Sequence, residues 1–229
     1  MMKVLFDTAD ITLIRQYKDM FAFEGVTTNP ALIRKAGIVE NTFERFQDIR
    51  KEIGNDRSLH MQVVSHDADE MVREAMWMRK KVDQEISVKI PVTPDGMRAM
   101  KELKKRDVSV TATTVVTQMQ ALLALELNVD YIAPYYDQMC DIGINGDELI
   151  NLLAQTIEKE RLQTKILAAN IKNMEQYRRV CLAGSHLITL NPQLLEETLK
   201  MPQIGKAVNF FDDAWVEIHG STRLCELES

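Results

Sequence analysis

The sequence is poor in the residues on which disulfide frameworks, zinc clusters and nucleotide-binding loops depend. Its three cysteines are an odd number and form no Cys-x-x-Cys pair, which argues against a disulfide framework and a zinc site. The four histidines have no ligand spacing, so we expect no bound metal. Only nine of the 229 residues are glycine, and neither a Gly-x-Gly-x-x-Gly nor a Walker motif is present. We therefore predict no nucleotide site and no cofactor.

Long apolar runs and a strong excess of one charge are also missing. No apolar stretch approaches the roughly 20 residues that span a bilayer, and the opening MMKVLFDTAD reaches an aspartate too soon for a signal peptide. The formal net charge is −6 with both signs mixed along the chain, which argues against a nucleic-acid surface. We expect a soluble, cytoplasmic protein with neither a nucleic acid nor a membrane as partner.

Short apolar segments alternate with amphipathic stretches along the whole chain. The apolar segments predict eight strands, at 3–6, 23–27, 59–64, 86–92, 108–113, 130–135, 165–170 and 186–190. The stretches between them predict helices at 40–53, 67–81, 94–106, 145–160 and 173–183. The strands are apolar at nearly every position, as is typical of a parallel sheet covered by helices.

Eight strands alternating with helices predict an α/β fold with a closed (β/α)8 TIM barrel. No linker rich in proline, glycine or serine interrupts the chain, so we predict a single domain over residues 1–229. A last amphipathic stretch at about 206–219 predicts an extra C-terminal helix. This helix packs either on the barrel or on a neighbouring subunit.

Polar residues end or interrupt seven of the predicted strands, where a core would not favour them. They are Asp7, the run Thr27-Thr28-Asn29, Gln62, Lys89, the pair Thr111 and Thr113, Tyr135 and Asn170. The chemistry of a β/α barrel occurs at the carboxyl ends of its strands. These side chains are therefore expected to line one polar pocket.

Lys89 is the most informative of these residues, because it lies inside the apolar segment 86–92. Burial of an ammonium group costs several kcal/mol unless it is paired or neutralised. One interpretation is a buried ion pair, with Asp7 as a candidate partner, or a lysine that extends to water. The other is a nucleophilic amine, since a desolvated, neutral amine can form an imine with a ketone. Asp7 is ambiguous as well, because it precedes a segment suited to begin a helix.

Six motifs occur in an order that resembles the transaldolase family. They are FDTAD (6–10), GVTTNP (25–30), MQV (61–63), VKIPVT (88–93), DYIAPY (130–135) and ITLN (188–191). The resemblance covers essentially the whole chain and is greatest with the small-subunit branch, which includes fructose-6-phosphate aldolase. It implies a Schiff base on Lys89, an acid/base role for Asp7, and binding of substrate hydroxyls by Thr27 and Asn29. It further implies a homo-oligomer, either a pentamer or a decamer.

Gln62 and Tyr135 bear on which reaction the resemblance implies. Family members that act as transaldolases are similar to one another in having glutamate and phenylalanine at these positions, whereas aldolase-like members have glutamine and tyrosine. A cluster of Gln62, Thr113 and Tyr135 can hold a water and protonate an enamine. The resemblance thus implies a class I aldolase that cleaves a ketose or ketose phosphate, such as fructose 6-phosphate, into a dihydroxyacetone-type ketone and an aldehyde.

Two other functions compete with this one. The alternative is a transaldolase of the pentose phosphate pathway, which would use Lys89 to transfer the dihydroxyacetone unit without releasing it. The other is a non-catalytic sugar-binding barrel in which Lys89 pairs with Asp7, and the sequence argues against it, because lysine, aspartate, asparagine, threonine and glutamine are all present at the positions that match the family.

The residues that resemble the family's phosphate site depart from its pattern. Gln138 stands where the family usually has an arginine, and Asn170 stands where it usually has a serine, while Lys172 keeps a basic residue nearby. Asn170 and Lys172 are expected to bind substrate. Because an arginine fork makes a bidentate contact that glutamine cannot replace, the phosphorylation of the aldehyde stays open.

Overall fold

The computed structural model describes residues 2–221 and 223–226 of the chain. Its strands are β1 (Lys3–Asp7), β2 (Gly25–Thr27), β3 (Ser58–Gln62), β4 (Ser87–Pro91), β5 (Val110–Val115), β6 (Tyr131–Pro134), β7 (Lys165–Ala168) and β8 (Leu187–Leu190). These eight parallel strands close into a barrel in chain order, with β8 paired to β1. Each overlaps a predicted segment, and the predicted (β/α)8 TIM barrel is confirmed.

Helices follow the strands. They are α1 (Ile11–Tyr17), α2 (Pro30–Lys35), α3 (Thr42–Ile53), α4 (Ala68–Lys81), α5 (Pro94–Lys105), α6 (Gln118–Leu125), α7 (Tyr136–Asp141), α8 (Gly146–Glu160), α9 (Met174–Leu182), α10 (Pro192–Leu199) and α11 (Pro202–His219), and a 3₁₀ turn spans Leu224–Glu226. The six predicted helical stretches correspond to α3, α4, α5, α8, α9 and α11. The periodicity does not predict the other five, because each has only six to eight residues.

Alternation along each strand separates the barrel interior from the layer beneath the helices. In β4, Val88 and Ile90 are fully buried, and they lie on the opposite face from Ser87 and Lys89, since side chains two residues apart share a face of a strand. Apolar residues from several strands also form a buried cluster that consists of Leu5, Leu167 and Leu187, with Tyr131 packed against it.

The structure divides into two compact units, one up to Pro192 and the other from Gln193 onward. In the second unit, α11 begins at Pro202, earlier than predicted, because proline suits a first helical turn that needs no N–H donor. The helix ends at His219 and is capped by Gly220, which has a left-handed φ of +68° and whose N–H donates to the Val216 carbonyl. That residues 1–229 form one domain stays a prediction.

Residues 2–221 and 223–226 contain neither a membrane-spanning helix nor a metal-binding cluster. No helix in these ranges is long and apolar enough to cross a membrane. No group of three or more His, Cys, Asp or Glu side chains in them is arranged to hold a metal ion. The three cysteines are exposed and unbridged.

Candidate active site

A cavity of about 520 Å³ contains side chains from the carboxyl ends of the strands and the loops that follow them. Seven of the nine predicted site residues line it: Asp7, Asn29, Gln62, Lys89, Tyr135, Asn170 and Lys172. The other two lie behind the lining, where Thr27 is hydrogen-bonded to Asp7 and Thr113 to Tyr135. Thr114 and Gln138 also line the cavity. The structure therefore brings the predicted residues together.

The Lys89 amine is buried at the wall of this pocket. The residue is only 4% exposed, so it does not extend to bulk water. Its Nζ donates a 2.9 Å hydrogen bond to the carbonyl oxygen of Thr28, and no ion pair of Lys89 with Asp7 or any other described carboxylate is present. Neither the ion-pair interpretation nor the extended-lysine interpretation fits this geometry. The amine is held by a neutral acceptor inside a polar pocket.

The acceptor of the Lys89 hydrogen bond is itself fixed by the neighbouring strand. The Thr28 N–H and hydroxyl both donate to the carbonyl of His60, at 2.9 and 3.0 Å. Two hydrogen bonds to one carbonyl hold the Thr28 peptide in a defined orientation. The position of the Lys89 amine thus depends on β3 as well as on its own strand.

A buried hydrogen-bond network centred on His60 lies one layer below Lys89. The His60 ring contacts Thr111 Oγ1 at 2.8 Å through Nδ1 and Ser58 Oγ at 3.0 Å through Nε2, while Ser87 Oγ lies 2.7 Å from Thr111 Oγ1. Burial lowers the pKa of His60 to about 3, with further lowering by the positive charge of Lys89. The imidazole is therefore neutral near pH 7.

Asp7 receives a directed hydrogen bond at the end of β1. The Thr27 hydroxyl donates to Asp7 Oδ1 at 2.7 Å and lies 2.6 Å from Thr189 Oγ1. Since a hydroxyl has one proton and a carboxylate only accepts, Thr189 is the donor to Thr27. The helix-capping interpretation of Asp7 is wrong, because Asp10 caps α1 by accepting from the Thr12 N–H. Thr27 is fully buried and lies behind Asp7, outside the pocket lining.

Tyr135, Thr113 and Gln62 form the polar wall that the sequence predicts. The Thr113 hydroxyl donates to the Tyr135 oxygen at 2.9 Å, which leaves the phenolic proton free to be donated into the pocket. The adjacent Thr114 has a left-handed φ of +60° where the pairing of β5 with β6 shifts register. Gln62 Oε1 is buried and receives no hydrogen bond from a described residue, so it needs a donor from water or substrate.

Amide side chains dominate the rest of the pocket. Asn29 caps α2 by accepting from the Leu32 N–H at 3.0 Å, which leaves its amide N–H groups as donors. Asn170 follows β7 with a left-handed φ of +58°. Lys172 and Gln138 are exposed at the mouth of the pocket. This end thus combines one cation with amides.

Three contributions to the site were not predicted from the sequence. Thr28 acts through its backbone carbonyl, which carries no residue-type signal. Thr189 is the polar residue in the apolar segment LITL of β8, and for that reason it could have been predicted to belong to the site. Thr114 lines the pocket because of the register shift in β5. In a regular strand Thr114 would lie on the opposite face from Thr111 and Thr113, so the sequence did not predict that it lines the pocket.

The chain is similar to known proteins over nearly its whole length. A model of the Transaldolase/Fructose-6-phosphate aldolase family matches residues 4–223. A probable fructose-6-phosphate aldolase from Streptococcus pneumoniae is 38% identical over 220 residues, which are 96% of this chain and 99% of the relative. A probable transaldolase from Oceanobacillus iheyensis is 31% identical over 93% of this chain and 98% of its own length. Another from Herpetosiphon aurantiacus is 33% identical over 95% of this chain and 96% of its own length.

Proposed function

The chain belongs to the transaldolase/fructose-6-phosphate aldolase family, and on this premise we propose that it is a class I aldolase with a Schiff base on Lys89. Its proposed substrate is a ketose or ketose phosphate, such as fructose 6-phosphate, which yields a dihydroxyacetone-type ketone and an aldehyde. The observation that carries the proposal is the Lys89 amine, buried at the pocket wall and held by a carbonyl. A buried amine without a carboxylate partner is suited to nucleophilic attack.

Cleavage begins with attack of the Lys89 amine on the ketone carbonyl, and loss of water leaves an imine. The imine withdraws electrons from the carbon–carbon bond that breaks. Asp7 takes the proton of the hydroxyl group that becomes the aldehyde, and the electron pair of the broken bond remains on the ketone fragment as an enamine. The Thr189–Thr27–Asp7 chain supports this role, because it fixes one carboxylate oxygen.

Release of the ketone requires protonation of the enamine carbon and hydrolysis of the imine. Tyr135 is the proposed proton donor, because its oxygen accepts a hydrogen bond from the Thr113 hydroxyl and its own phenolic proton stays free. Gln62 Oε1 is the proposed acceptor for the water, because it is buried without a protein donor among the described residues. A phenylalanine in place of Tyr135 would make no such proton available.

Substrate binding is divided between donors on opposite sides of the pocket. Asn29 offers its amide N–H groups to substrate hydroxyls. Asn170 and Lys172 are proposed to contact the aldehyde portion, and Gln138 replaces a charged contact there by an amide. Thr27 orients Asp7 instead of binding substrate directly, since its hydroxyl is engaged by Asp7 and Thr189.

The protein is proposed to act in the cytoplasm, in carbohydrate metabolism, as a homo-oligomer. The family resemblance implies a pentamer or a decamer. Support comes from α11, on which Phe210, Phe211 and Ile218 are each more than two-thirds exposed, at 69%, 67% and 73%. Large apolar side chains that are exposed together on one helix are commonly covered by a partner.

A second candidate is a transaldolase, because relatives at 31% and 33% identity carry that name. Fructose 6-phosphate cleavage should be assayed with and without an added acceptor aldehyde, with free dihydroxyacetone and the transfer product both measured. An aldolase releases free dihydroxyacetone without the acceptor. Turnover that depends on the acceptor would instead identify a transaldolase.

A further inference from the structure

We propose that Gln176 is a positioning residue that holds together the two loops forming the aldehyde side of the pocket. This inference rests on the proposed function and deepens it. The first loop is Tyr135 with the first turn of α7, after β6, and the second is the segment 169–173 after β7; they supply Tyr135 and Asn170 to the pocket. Gln176 itself does not line the pocket. It acts through the amide bridge, by which we mean the link Asp137–Gln176–Lys172.

The amide bridge uses both polar atoms of one side chain. Gln176 Nε2 donates to Asp137 Oδ1 at 2.7 Å, and Gln176 Oε1 accepts from the backbone N–H of Lys172 at 2.7 Å. The Gln176 N–H is held in turn by Asn173 Oδ1 at 2.9 Å, in the first turn of α9. The bridge therefore connects the two pocket loops through an anchor on a helix.

Beyond the sheet, few backbone hydrogen bonds among the described residues join the two loops. Tyr135 and Ala169 form an isolated β-bridge, and the Tyr136 N–H donates to the Ala169 carbonyl at 2.9 Å. The next backbone contact, from the Asp137 N–H to the Asn170 carbonyl, is longer at 3.3 Å. The ladder thus weakens at the residues that enter the pocket, and the amide bridge begins where it weakens.

Asn170 has an uncommon backbone conformation in the loop after β7. Its φ of +58° lies in the left-handed region, which asparagine adopts more readily than most residues with a side chain. Lys172, two residues later, is exposed, and it is its backbone N–H that Gln176 accepts from. Loss of the bridge should therefore shift Asn170 and Lys172, whereas Lys89 is held by a separate set of hydrogen bonds on β2 and β3.

Exchange of donor and acceptor across the bridge gives a sharp test. Gln176→Glu places a carboxylate against Asp137 and removes the donor, yet it still accepts from the Lys172 N–H. The double variant Gln176→Glu/Asp137→Asn restores the hydrogen bond with donor and acceptor exchanged, because the new amide at position 137 donates to the new carboxylate at position 176. Asp137→Asn alone keeps an acceptor for Gln176. Gln155→Glu is the matched control, because Gln155 makes a similar surface bond to Asn151 on α8.

Two readouts separate this inference from the proposed function. The first is the KM for glyceraldehyde 3-phosphate in synthesis with dihydroxyacetone, alongside the rate at which borohydride traps dihydroxyacetone on Lys89. The second, which needs no activity, is hydrogen exchange in peptides covering 135–141 and 169–174. Absence of a Lys89 adduct in the wild type would contradict the proposed function. The hydrogen-exchange rates of the two loops would still show whether the amide bridge holds them.

Gln176→Glu should raise the KM for the aldehyde about 10-fold, because the groups that bind it are modestly misplaced. The rate at which dihydroxyacetone is trapped on Lys89 should not change. Exchange should quicken in both loops. The double variant should recover KM to within about threefold and slow the exchange again, as expected for residues in direct contact. An unchanged KM and exchange in Gln176→Glu, or no recovery in the double variant, would overturn the inference.

Discussion

The two sides of the pocket are built differently. On the side of β8 and β1 to β4, Lys89 is held by the Thr28 carbonyl and Asp7 by the hydroxyl of Thr27, which is in turn hydrogen-bonded to Thr189. On the side of β6 and β7, Asn170 and Lys172 lie on loops at the rim. The first side fixes the groups proposed for bond cleavage. The second is more exposed and carries the groups proposed to bind the aldehyde.

This difference predicts which substitutions should affect the rate of the chemical step and which should affect substrate binding. Groups held by buried hydrogen bonds are pre-organised and contribute mainly to kcat. Exposed groups at the rim contribute modest binding energy and are screened by water. Substitutions on the two sides should therefore separate into effects on kcat and effects on KM.

The largest effect is expected for Asp7→Asn, which removes the proposed base on the buried side. Cleavage of fructose 6-phosphate should fall by about 10²- to 10⁴-fold, the usual contribution of general base catalysis. Trapping of dihydroxyacetone on Lys89 should persist, because imine formation leaves the carbon–carbon bond intact. Equal loss of cleavage and trapping would mean that Asp7 mainly maintains the pocket.

Tyr135→Phe should separate ketone release from transfer. Without the phenolic proton, release of free dihydroxyacetone should fall about 10- to 1,000-fold. Transfer to an added aldehyde should fall less, because the enamine persists longer. The ratio of the two products measures this difference, and Gln62→Glu should change it in the same direction more weakly. A parallel fall in both products would favour the transaldolase assignment.

His60 predicts a pH dependence of stability on the buried side. Its folded-state pKa of about 3 lies below the value of about 6.5 for an unfolded histidine, so the unfolded chain binds the proton first. As pH falls from about 6.5 towards 3, stability should decrease by about 1.4 kcal/mol per pH unit from this group. His60→Phe should flatten the slope in urea titrations over this window. Parallel slopes for the two proteins would refute the buried neutral imidazole.

The smallest effect is expected for Lys172→Met at the rim. An exposed charge contributes little, so the KM for glyceraldehyde 3-phosphate should rise about two- to fivefold with kcat unchanged. The KM for unphosphorylated glyceraldehyde serves as the control and should not change. Equal increases for both aldehydes would show that Lys172 does not act on the phosphate.

Much of the fold was predictable because its signals are local. Eight apolar runs predicted the strands, and stretches of nine or more residues such as α4 and α9 showed helical periodicity. Helices as short as α2 and α7, with six residues each, complete too few turns for periodicity to appear. Capping signals help more there, as Asn29 and Pro30 do at the start of α2.

The site was predictable where it depends on residue type and not where it depends on closure of the barrel. Polar residues at strand ends predicted Lys89, Asp7 and Gln62. The Thr27–Thr189 contact joins residues 162 positions apart, and the pairing of β1 with β2 on one side and β8 on the other brings them together. The Gln176 bridge likewise depends on the placement of two loops. A backbone carbonyl such as that of Thr28 gives no signal in the sequence.

Covalent trapping on Lys89 tests the central claim most directly. Borohydride added with dihydroxyacetone should inactivate the protein, and peptide mass spectrometry should find the mass of the reduced ketone on the peptide that contains Lys89. Lys89→Met should abolish both the inactivation and the adduct while leaving the fold intact by circular dichroism. An adduct on another lysine, or none at all in an active wild-type protein, would contradict the account.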